Sequence, residues 1–139
     1  MKHFPIICFW ITLSIYAGLG IWLALLLAGL LKTFGIEQNT PAMLTEIRAF
    51  YGGVELGIAG LMLLFWRQGL LGQALLLGGI PLLGTVLGRM AGLLCDGFSS
   101  LHLTLGTFEA AGFISCFAGY RICRRAKDPS TDFDAGKEN

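Results

Sequence analysis

Four long apolar runs separated by short polar breaks organise this chain. Phe4 to Leu31 runs without a charge. At about 1.5 Å rise per residue, a helix of that length reaches about 42 Å, more than a bilayer's hydrocarbon core requires. Lys2 precedes it, as in a secretory signal, but a signal core holds only about 7–15 apolar residues. The run therefore reads as a retained first helix.

The next break, "LKTFGIEQNTPAM", ends on a helix start. Thr40 can cap, and Pro41 suits a first helical position because its missing N–H would have no partner there. The second helix is expected over about 41–66, with Gly69 turning the chain. A third is expected over about 70–94, ended by an Asp96-Gly97 turn. The fourth is expected over about 100–122, capped by Ser99 or Ser100. The fold class is thus all-α, an integral membrane four-helix bundle occupying residues 1–123. The polar stretch 124–139 contains Pro129, has little to bury and reads as a disordered tail.

Composition agrees with a lipid environment. Of 139 residues, 55% are hydrophobic and only 14% charged, where a soluble domain carries about 25% charge. Mean hydropathy is +0.70. A net charge of +1 provides no basic field for nucleic acid. Four cysteines lack any C-x-x-C spacing and read as small hydrophobes. Lys2, Arg67, Arg121, Arg124, Arg125 and Lys127 gather at one end of the bundle. The positive-inside bias therefore predicts that both termini are cytoplasmic in a bacterial inner membrane.

The few charges inside the spans are the candidate chemistry. Arg48 and Glu55 are seven residues apart on the second helix, Arg89 and Asp96 on the third, and His102 and Glu109 on the fourth. Seven residues are nearly two α-helical turns, so each pair is expected to share a face. Glu55, Arg89 and Glu109 then fall at similar depth, with Arg89 expected to face Glu55 and Arg48 to assist. Two carboxylates around one guanidinium leave one negative charge unless an acid holds a proton or Arg48 contributes. Tyr51, one turn from Glu55, is expected to hydrogen-bond into this face, and Glu46 lies near its outer edge. Ionisable groups in a membrane are rare and mark candidate ligand or proton sites. The same pairs also serve a purely structural role, fixing helix register.

His102 reads first as a capping or interfacial residue. A metal site with Cys95 and Asp96 is only weakly suggested by spacing, no E-x-x-H pair points to a di-iron centre, and no cofactor follows from the sequence. Tyr16, Trp10, Trp22 and Trp66 read as interface anchors. Gly53-x-x-x-Gly57 on the second helix and Gly84, Gly88 and Gly92 on the third are expected to let helices pack closely, since lipid supplies little hydrophobic force between helices.

The stretch "EIRAFYGGVELGIAGLMLLFW" followed by "GRMAGLLCDG" resembles a family of small bacterial four-helix membrane proteins without an assigned function. Its E-x-R-A-x-Y-G-G element is matched by Glu46, Arg48, Ala49, Tyr51, Gly52 and Gly53, and its G-R element by Gly88 and Arg89. The resemblance extends over most of residues 5–122. It implies kinship with the DoxX-like superfamily, some members of which are associated with quinone-linked oxidoreductases. Three functions fit the pattern. The expected one is a non-enzymatic accessory or scaffold subunit of a larger membrane complex, respiratory or photosynthetic, with lipid and other membrane proteins (or a second copy) as partners. The alternatives are a binder or reductase of a lipophilic molecule such as a quinone, and a proton-coupled solute carrier.

Overall fold

The computed structural model describes residues 3–33 and 40–127. Lys2, the 34–39 connection and the tail from 128 onward lie outside the described residues. Helix α1 spans Phe4–Thr33, α2 Pro41–Ile47, α3 Val54–Arg67, α4 Leu71–Cys95 and α5 Ser100–Lys127. A π-helical turn, Arg48–Gly53, joins α2 to α3 within one continuous span. Among the described residues, four segments are long and apolar enough to cross a membrane: Phe4–Leu27, Pro41–Arg67, Leu71–Cys95 and Ser100–Ala126. The chain is an all-α four-helix bundle.

Local chemistry explains the helix ends. The Thr40 hydroxyl accepts the Met43 backbone N–H at 3.2 Å, and Pro41 occupies the first turn. Gly69 and Gly97 take positive φ, +74° and +109°, a region open to glycine without a Cβ penalty. Ser99 caps α5, its carbonyl accepting the Leu103 N–H at 3.0 Å. That helix continues through Arg124 and Arg125 to Lys127, past the boundary expected at 123. Basic residues in a last turn complement the partial negative charge of the helix end, which favours the extension.

Each helix packs against its neighbours in sequence, and α1 also closes on α5. The main core joins all four spans through Phe9, Tyr16, Met62, Leu75 and Cys116. A second cluster, Leu23, Leu27 and Leu31, packs against Leu44 and Ile47 of α2 and Leu19 of its own helix. Near Gly119, a Cβ would meet Leu75 of α4 and Pro5 of α1 within 3.5 Å. The start of α1 and the later part of α5 therefore share one end of the bundle. Arg67, Arg121, Arg124 and Arg125, all exposed, belong to that end.

Close helix contact does use glycine, but different glycines from those expected. A Cβ on Gly57, Gly84 or Gly88 would meet nothing within 4 Å, and those on Gly53 and Gly92 would meet only atoms of their own span. The tight approaches are at Gly20, Gly52, Gly78, Gly79, Gly112 and Gly119. A Cβ on Gly52 would lie 3.3 Å from the Ala24 backbone nitrogen and 3.4 Å from the Gly20 carbonyl oxygen. Backbone thus meets backbone where α1 crosses the π turn.

Tyr16 also departs from its expected place at the interface. It is buried, and its hydroxyl donates to the Gly78 carbonyl at 2.8 Å. Pro81, three residues further along α4, lacks the N–H that the Leu77 carbonyl would accept in a regular helix. Nearby, the Thr12 hydroxyl and the Cys116 thiol lie 3.2 Å apart in the core.

Candidate functional site

The π turn decides which charged groups meet. A π turn holds one more residue than an α turn and rotates everything beyond it by roughly 100°. Arg48 and Glu55, seven apart, therefore do not share a face as an uninterrupted α-helix would place them. Arg48 and Glu46 are exposed, whereas Glu55 is partly buried. Tyr51 is 60% exposed and makes no hydrogen bond into the charged face among the described residues. The turn coincides with the RAFYGG stretch and with the close approach of Gly52 to α1.

Helices α4 and α5 carry no such interruption, and their pairing is the most extensive in the fold. Arg89 donates from Nε to Glu109 Oε2 at 2.7 Å and from Nη2 to Glu109 Oε1 at 2.8 Å, a bidentate fork. Its Nη1 lies 2.8 Å from His102 Nδ1. A guanidinium has no acceptor, so Nδ1 must accept and a proton on the neutral ring sits on Nε2. His102 and Glu109, two turns apart on α5, thus clasp one guanidinium from α4. Gly106 lies between them, and a Cβ there would come within 3.7 Å of Arg89 Cδ.

Arg89 and Glu109 neutralise one another, with side chains 25% and 18% exposed. Glu55 is not part of this pair, which corrects the expectation that Arg89 faces Glu55. The guanidinium is occupied on three nitrogens by groups of the neighbouring α5. Glu55 Oε2 is buried without a hydrogen-bond partner among the described residues. Tyr16 is buried on the first span, and Glu55 and Glu109 are partly buried on the second and fourth.

The outer candidates lie apart from this cluster. Asp96 and Cys95 are exposed at the end of α4. His102 has committed Nδ1 to Arg89, and no group of three or more His, Cys, Asp or Glu converges among the described residues. The sequence reading missed the buried Tyr16–Gly78 and Thr12–Cys116 contacts. Tyr16 lies about 18 Å along α1 from its start, too deep for an interface anchor, and this was the available signal.

No family model, curated protein or solved structure matches this chain. The likeness read from the E-x-R-A-x-Y-G-G and G-R elements rests on those residues alone.

The cluster predicts a contrast between its two glutamates. Glu109→Gln turns a charged bidentate partner of Arg89 into a neutral one and is expected to cost about 2 kcal/mol. Glu55→Gln removes a carboxylate with an unpartnered buried oxygen and is expected to leave stability unchanged or raise it. Equilibrium unfolding in mixed detergent micelles reads both. Equal losses would show that Glu55 has a partner of its own.

Proposed function

We propose that this chain is a small, non-enzymatic accessory subunit that docks through its helix faces onto another integral membrane protein. The observation carrying this reading is a pair of open small-residue rows. Gly53, Gly57 and Gly60 on the second span, and Gly84, Gly88 and Ala91 on α4, recur at helical spacing and are exposed. A Cβ on Gly57, Gly60, Gly84 or Gly88 meets nothing within 4 Å. Such rows let a foreign helix approach backbone to backbone, the main source of affinity where lipid removes the hydrophobic drive. The Arg89–Glu109–His102 cluster fits the same reading as a fastener between α4 and α5.

A bacterial inner membrane with both termini cytoplasmic is the setting that fits the basic end of the bundle. The DoxX-like kinship that the E-x-R-A-x-Y-G-G resemblance implies fits a respiratory or photosynthetic complex as the partner. A lipophilic-ligand role for the cluster, with a quinone as the substrate class, is the second reading, and the buried, unpartnered oxygen of Glu55 favours it.

Purification from native membranes in mild detergent, followed by mass determination of the intact particle, tests the proposal. The expected result is a stoichiometric complex that the Gly57→Leu, Gly84→Leu double variant fails to form while keeping its own helical melting transition. A lone wild-type chain carrying a small redox molecule would transfer the assignment to the second reading.

A further inference from the structure

A groove of about 510 Å³ runs along α1 beside the π turn, lined by Trp22, Leu25, Leu26, Gly29 and Arg48. Three irregularities meet there. Leu26 has non-helical backbone angles, φ −120° and ψ 26°, so α1 bends at the groove wall. The π turn begins at Arg48 and rotates it away from Glu55. Arg48 forms no ion pair among the described residues, although it lies about 10 Å along the span from Pro41. An arginine at that depth reaches the interface with its head while its stem stays in the apolar layer.

We infer that this groove binds an anionic phospholipid, its phosphate on the Arg48 guanidinium and one acyl chain along Leu25, Leu26 and Gly29. Charge complementarity selects this occupant. Among the described lining residues the walls are hydrocarbon and one indole, and the charge is that of Arg48, a planar donor suited to phosphate oxygens. An acyl chain needs no hydrogen bonds from such walls, and Trp22, which precedes Leu25, Leu26 and Gly29 on α1, lies deepest in the groove and adds a flat apolar face for the chain. Gly29 leaves open space where a side chain would stand, since its Cβ meets nothing within 4 Å. The inference does not depend on the subunit reading above.

The test is native mass spectrometry of the full chain released from nanodiscs containing equal phosphatidylglycerol and phosphatidylcholine. The wild type is expected to retain phosphatidylglycerol preferentially. Arg48→Gln is expected to lower that retention about fivefold, the worth of one basic residue at a lipid surface. Arg48→Lys keeps part of it, and Arg67→Gln, at the opposite end of the span, leaves it unchanged. Gly29→Leu, which fills the groove, is expected to reduce retention of both lipids. Equal retention of the two lipids by the wild type overturns the proposal, as does an Arg48→Gln variant that melts like the wild type yet keeps its phosphatidylglycerol. Displacement of bound lipid by millimolar inorganic phosphate would show that the chain has no part in binding and would also overturn it.

Discussion

Replacing Arg89 with alanine is expected to destabilise the bundle by about 3 kcal/mol. Removal of one partner from a buried ion pair costs about 3–5 kcal/mol, and the partial exposure of both groups sets the estimate at the lower end. Most of the loss comes from what is left behind. Glu109 would keep its charge without the two short donors at 2.7 and 2.8 Å, and His102 Nδ1 would lose the donor it accepts from. The double variant Arg89→Ala, Glu109→Ala is therefore expected to be more stable than Arg89→Ala alone, since no carboxylate is stranded. Unfolding titrations of the four members of this cycle provide the check. A double variant losing the sum of both single losses would mean that the two groups act separately.

Gly78→Leu is expected to abolish the folded bundle. A single methyl there would fall 2.8 Å from Met62 Sδ, 2.9 Å from its Cε and 3.0 Å from Thr12 Cγ2. Met62 is fully buried and Thr12 nearly so, which leaves neither much room to move. Overpacking costs about 1–3 kcal/mol for added methylenes, and an isobutyl group would also push the Gly78 carbonyl from the Tyr16 hydroxyl. Gly84→Leu on the same helix meets open space and is expected to melt like the wild type. Circular dichroism of the two variants side by side separates a packing glycine from an exposed one. Equal melting would contradict the placement of α4 against α1 and α3.

The fold was largely legible because its signals are local. Thr40-Pro41, Gly69, Asp96-Gly97 and Ser99 each end or begin a helix through their own backbone chemistry, which requires no knowledge of neighbours. The pairing of Arg89 with His102 and Glu109 followed half-way. The seven-residue spacing on α5 put two groups on one face, but nothing local said that α5 would take all three nitrogens and leave Glu55 aside. The π turn was hidden, since periodicity arguments assume 3.6 residues per turn throughout. That assumption placed Arg48 and Tyr51 beside Glu55. Glycine spacing marked helices able to approach a partner but not which row faces inward. Gly78 and Gly79, adjacent in sequence, are the buried ones on α4, whereas the repeat at Gly84 and Gly88 faces outward.

The claim that the outward glycine rows are docking surfaces is tested most directly by photo-crosslinking in native membranes. A photoreactive side chain at position 57 or 84 is compared with one at Ile15, an exposed apolar position on α1. The account predicts one discrete protein adduct from positions 57 and 84 and only lipid adducts from position 15. Lipid adducts alone from all three would contradict it.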